Sequence, residues 1–361
     1  VKARWKAQAA ATMVGSMPHK DRRQVIDLIL DQVPEIPVWP QLSVFPPEQM
    51  MVQYLEGLPG LKFQDGKHFI EWNSPRFDQE LYAFYEEYLA LESETMDIRA
   101  SRFALGHETG LTFHAFLEAL RRRQATPKAL KGQVVGPFTL LAGLKDQDDR
   151  SALYDERLCD VVVKHLAMKA CWQVELLKEF QRPVIIFLDE PALAGFGSSA
   201  FISVSREQVD RLLREIVETI QNKGAMAGIH VCANTDWLLA FQSPVDIINF
   251  DAYNYFDKFA LYHQAFQKFI SEGRTVAWGM VPTSDAQIIE KETPGSLAEL
   301  WLSRVESLLS ETITVEKILE QSIFTPSCGC ASLPVAAAEK VLKHTGSLSE
   351  ILKGRTGKPN P

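Results

Sequence analysis

The chain has 361 residues, of which 46% are hydrophobic and 23% charged, with a formal net charge of −8. That length suits two domains or one large α/β barrel, and the apolar content is enough for a large core. The acidic balance excludes a nucleic-acid binder, which needs a basic face, though not a small anion held by a few local cations.

Eight short apolar runs bounded by turn residues read as strands. In chain order they are 12–16, 36–40, 133–137, 184–189, 227–232, 245–251, 275–281 and 322–327. Most are continuously apolar, as strands covered on both faces should be. Helical patterns lie between them, at 20–33, 151–180, 205–223, 235–241, 258–272, 296–310 and 333–342. Eightfold alternation predicts an α/β fold, a (β/α)8 TIM barrel. The rival, a doubly wound open sheet, should carry a GxGxxG turn after its first strand, and none is present.

One interval breaks the rhythm. Between the second and third strands lies an insertion, about 43–131. Its segments 61–64 and 67–72 read as a β-hairpin around Asp65-Gly66, followed by helices at 77–91 and 111–123. Such an insertion belongs on the active-site face of a barrel. The expected organisation is one domain, 1–353, with a flexible tail at 354–361. The first thirteen residues carry Lys2, Arg4 and Lys6 before an alanine-rich stretch, and no signal-peptide core follows. No run of about 20 apolar residues is available to span a membrane. Five sparse cysteines suggest no disulfide framework, so a reducing cytoplasm is expected.

The chemistry collects at strand ends. His230 and Cys232 are two residues apart and face the same way from the fifth strand. Cys328 ends the eighth strand on the same rim of a closed barrel. Imidazole plus thiolates is a soft ligand set that favours zinc, with Asp251 or Cys330 as a fourth ligand or the position left open for substrate. A packed-core reading would win for HxC alone; the second strand-end cysteine tips the balance to metal. An open zinc position suits a thiol substrate, held as thiolate. Asp189-Glu190 can grip a substrate amine or act as an acid/base pair, or can simply start a helix before Pro191. The turns at Gly15-Ser16 and Gly136-Pro137 allow close ligand approach or are plain βα turns. His107-Glu108 reads as a solvated loop, Cys159 and Cys171 as core thiols, and Trp278 as packing within the barrel or at its mouth.

Taken in order, TMVGSMP, GPFTLL, FLDEPAL, HVC and TPSCG resemble the catalytic C-terminal barrel of the cobalamin-independent methionine synthases. More broadly they resemble the zinc methyltransferase and uroporphyrinogen decarboxylase-like barrels. The resemblance runs over nearly the whole chain. It implies zinc held by His230, Cys232 and Cys328, with Asp251 where the family has a glutamate ligand. It implies that Ser16 and Asp189 hold the amino-acid part of homocysteine. Gln41 is the nearest stand-in for a glutamate that contacts the amine, and Thr283 or Ser284 stands where the family has a catalytic histidine.

No counterpart of the family's methyl-folate barrel lies in these residues, so the expected donor is a methylated corrinoid such as methylcobalamin. The DxHxxG corrinoid motif is absent, so the corrinoid would come free or on a separate corrinoid protein. The resulting expectation is a zinc-dependent S-methyltransferase acting on a small thiol, homocysteine first, with Asp189 and Ser284 as catalytic residues and Ser16, Gln41, Asp189 and Glu190 binding substrate. The alternatives are a decarboxylase-like lyase and a non-catalytic zinc protein that binds a thiol or corrinoid.

Overall fold

Burial on both faces decides which apolar runs become strands. The computed structural model describes residues 5–355. Its strands are β1 (Ala10–Ala11), β2 (Leu61–Gln64), β3 (Lys67–Ile70), β4 (Leu130–Val135) and β5 (Lys145–Asp146). They continue with β6 (Val184–Asp189), β7 (Met226–Val231), β8 (Ile247–Phe250), β9 (Thr275–Val281) and β10 (Ser322–Pro326). Seven of them form one all-parallel sheet in the order β1-β10-β9-β8-β7-β6-β4, curled into a half-barrel with helices outside.

Two segregated apolar clusters record the curl. The larger fills the space between sheet and helices. The smaller lies inside the curve and includes Ala10, Ile36, Ile185, Phe187, Ala277 and Ile323. Trp278 belongs to the outer layer, between Phe250 and Trp301, and not to the interior or the mouth as expected.

The sheet departs from expectation at its first two members. The first strand is only Ala10–Ala11, and the run at 36–40 forms no strand. Pro37 and Pro40 have no N–H to give, so a regular ladder cannot run through them. Residues 35–41 still hydrogen-bond on both sides. Lys131 N donates to Pro37 O (3.0 Å), and on the other side Gln41 N donates to Gly15 O (3.0 Å) and Met17 N to Gln41 O (2.9 Å). Two isolated parallel bridges result, Val38 with Lys131 and Ser16 with Gln41.

The insertion forms as its sequence predicts. Leu61–Gln64 and Lys67–Ile70 pair antiparallel, and Asp65 and Gly66 both take positive φ (52° and 77°), as a two-residue hairpin turn demands. Helices Phe77–Glu92 and Leu111–Arg123 follow. The expected helix at 258–272 is two pieces, Ala252–Ala260 and His263–Ser271, and the last helix is longer than expected, Val335–Lys353. Of the expected tail, 356–361 fall outside the described residues. No helix among the described residues is long and apolar enough to cross a membrane.

Candidate metal centre and acceptor site

Register builds the centre. His230 on β7 pairs with Asp189 on β6 and Asn249 on β8, so the three side chains share the inner face of the sheet. Cys232 follows on that face one step beyond the strand. From β10 the chain turns through Ser327, whose N–H donates to Val281 O (2.8 Å), and presents Cys328. The ligating atoms of His230, Cys232 and Cys328 all lie within 4.8 Å of one another, the one such group of three among the described residues. Gly329 makes the close approach to Ser16 possible. A Cβ there would lie 2.0 Å from Ser16 Oγ, and the next residue, Cys330, donates its N–H to Ser16 O (2.9 Å). The last strand's cysteine loop is thereby clasped to the segment that follows the first.

The imidazole is set for a metal. Asn249 Nδ2 donates to Ala277 O (2.9 Å) and to Thr325 Oγ1 (2.8 Å). A carbonyl only accepts, so the amide orientation is fixed and Asn249 Oδ1 faces His230 Nδ1 at 2.6 Å. Nδ1 therefore carries the proton, and the lone pair of the neutral ring sits on Nε2. That atom is buried with no hydrogen-bond partner. Leaving it so would cost about 1–3 kcal/mol, which a metal ion would remove. The two thiols share a proton: the contact with Cys328, then the nearby His230 imidazole, pulls the Cys232 thiol far down, while Cys328 is pushed up by the same contact and by burial. Metal binding to both sulfurs would expel that proton.

The expected fourth ligands fare differently. Asp251 is buried near His230 but is not in the cluster. Its oxygens cap the helix Ala252–Ala260, accepting from Asn254 N (2.9 Å) and Asn254 Nδ2 (2.7 Å). Cys330 is packed in the apolar core, where burial pushes its thiol up to about 12. Cys159 and Cys171 are also buried, with thiols pushed up to about 11 and about 12.

Asp189 ends β6 almost fully buried, and its Oδ1 has no partner. Burial raises its carboxyl to about 6, against the pull of His230 and of Lys131. Lys131 is itself wholly buried inside the half-barrel. Its Nζ donates to Val14 O (2.7 Å) and lies 4.4 Å from the Phe187 ring centre, and desolvation lowers it to about 8.

Glu190 faces elsewhere: it caps the neighbouring helix Pro137–Gly143, accepting from Phe138 N (2.9 Å), Thr139 N (2.8 Å) and Thr139 Oγ1 (2.6 Å). Burial pushes it to about 7 in spite of those bonds. Thr139 Oγ1 in turn accepts from Ala192 N (3.1 Å), locking the turns after β4 and β6 together. Of the two hydroxyls after β9, Thr283 is the buried one, 3.0 Å from Ser327 Oγ, and Ser284 is exposed. His107 and Glu108 are exposed, as expected. Asn249 and Thr139 had no assigned role in the sequence; the only signal for Asn249 is a polar residue inside an otherwise apolar strand, INF.

No family model and no curated protein matches the chain. Among solved structures it resembles a methyltransferase from Methanosarcina mazei, with TM-score 0.50 and 10% identity over 97% of this chain and 96% of that one. A B12-independent methionine synthase from Shewanella sp. W3-18-1 in complex with selenomethionine aligns at TM-score 0.47 and 20% identity, over 66% of this chain and 67% of that one. A pneumococcal exo-β-D-N-acetylglucosaminidase module of glycoside hydrolase type GH20 aligns at 0.46 and 9%, over 94% and 85%. The likeness to the Methanosarcina enzyme is one of fold, and a shared fold leaves the reaction to be argued from the site.

Proposed function

We propose that this protein is a zinc-dependent methyltransferase that methylates the sulfur of a small thiol, homocysteine first, from a methylated corrinoid. The observation that carries this reading is the His230, Cys232 and Cys328 cluster, with a buried, unpartnered Nε2 oriented by Asn249. Two thiols and an imidazole suit zinc, and three protein ligands leave a position for the acceptor. A zinc ion held there would keep the acceptor sulfur as a thiolate at neutral pH.

The chain's own residues do the rest. Asn249 fixes the imidazole tautomer, and the Gly329 turn brings Cys328 to the rim beside Ser16. Asp189 offers an unpaired carboxylate oxygen for the acceptor's ammonium group. Gln41, bridged to Ser16, lies at the same strand ends. Glu190 and Thr139 hold the neighbouring turns in place. A methylated corrinoid, when bound, would supply the methyl group and keep the electron pair of the broken bond, and the chain's residues would hold the acceptor sulfur towards it. Catalysis then rests on positioning and exclusion of water. The scaffold is read as a (β/α)8 barrel whose second stave is the irregular segment 35–41; Ile36 in the inner cluster supports this. The donor arrives free or on a separate corrinoid protein, and the reduced thiols suit the cytoplasm.

The test is metal content with X-ray absorption before and after adding homocysteine. One zinc per chain that gains a sulfur on thiol addition is expected. No zinc, or a closed shell indifferent to thiols, would leave the lyase or the non-catalytic reading.

A further inference from the structure

The geometry points to Gln53 as a positioning residue that selects acceptor thiols bearing an ammonium group; this rests on the methyltransferase reading above. Gln53 lies in the insertion, in the short 3-10 helix Val52–Tyr54, and is fully buried. Its Nε2 donates to Thr109 O at 2.7 Å. A backbone carbonyl only accepts, so the amide cannot be turned round, and Gln53 Oε1 must face the other way. There it accepts from Gln41 Nε2 at 2.6 Å. Gln41 is fixed in turn: its NH2 end is committed to Gln53, and its Oε1 accepts no protein hydrogen bond among the described residues.

Gln41 bridges to Ser16, five residues beyond the first strand, and Asp189 lies on the other side of β4 with its own unpartnered Oδ1. Two acceptor oxygens without a donor suit a group that only donates. A primary ammonium does so through three N–H bonds, whereas a carboxylate at the same place would meet two oxygens and no proton. Without Gln53 the Gln41 amide is free to rotate and to offer NH2 to the cation, cancelling the selection. Gln53 touches no substrate; it acts through Gln41.

The experiment is calorimetric titration of the zinc-loaded protein with homocysteine and with 4-mercaptobutyrate, the same thiol acid without the amine. Gln53→Met is expected to weaken homocysteine about tenfold while leaving 4-mercaptobutyrate and zinc stoichiometry unchanged. Gln53→Glu, protonated when buried, keeps both a donor to Thr109 O and an acceptor to Gln41, so it restores the wild-type preference. If Gln53→Met does not fold, as judged by thermal unfolding, Gln53→Leu gives the same readout. Equal weakening of both thiols, or of neither, overturns the role of Gln53 while leaving the function intact. Failure of the unmutated protein to bind either thiol overturns the function and takes this inference with it.

Discussion

The site has two halves built by different means. The proposed metal half hangs on β7 and β10, inside the sheet: His230 and Cys232 follow from the alternation of β7, and Cys328 from the turn after β10, whose register against β9 shifts between Thr325 and Pro326. The proposed acceptor half hangs on Ser16, in the segment after β1, on residues 35–41 that form no strand, and on an insertion packed over them. Regular ladders place a side chain by counting residues. The acceptor half places its groups by side-chain hydrogen bonds between segments far apart in sequence, such as Gln53 to Thr109. Zinc affinity and acceptor selection should therefore respond to different substitutions.

The largest effect that would break this division is Cys232→Ser. It should abolish zinc binding and methyl transfer with thermal unfolding little changed; loss of the folded state instead would make the zinc structural. Next, Asn249→Ala frees the His230 tautomer and should lower zinc affinity about 10- to 100-fold in a chelator competition. An unchanged affinity would show that the imidazole needs no such partner.

Asp189→Asn belongs to the acceptor half. It should weaken homocysteine about tenfold and leave zinc in place. The sign with pH follows from its raised carboxyl. Ionised above about 6, it would bind the ammonium; as pH falls through about 6 it would take up a proton and affinity should fall, a limb that Asp189→Asn should remove. A limb that survives the substitution would assign it to another group. The smallest effect separates the two hydroxyls after β9. Ser284→Ala, at an exposed position, should leave turnover unchanged, whereas Thr283→Val removes the contact to Ser327 and should lower it. The reverse result would return the role to Ser284.

Legibility in the sequence follows the same division. Strands β6 to β10 were readable because they are apolar on both faces, and His230, Cys232 and Cys328 because they sit at predictable ends. The run at 36–40 looked like a strand by hydropathy, yet its two prolines decide otherwise. Asp189 and Glu190 are adjacent, but nothing local tells which faces the site; the helix at Pro137 claims Glu190 through a contact 51 or 52 residues away in sequence. Asp251 offered a carboxylate at the right strand end, and the following helix took it as a cap. Gln53 was invisible because its partners come from other segments of the chain.

The proline-broken segment has a mechanical consequence. From β4 through β6, β7, β8 and β9 to β10, neighbouring strands share runs of backbone pairing, while this segment is held by isolated bridges and a few single bonds. A curved wall with one weak seam yields there first. The insertion begins just beyond Gln41, so opening at the seam would carry Gln41 and Gln53 away from Asp189 and leave the pairing of β7 and β10 intact. A methylated product would then leave through a gap that opens on the acceptor side, and the metal would be retained from one turnover to the next.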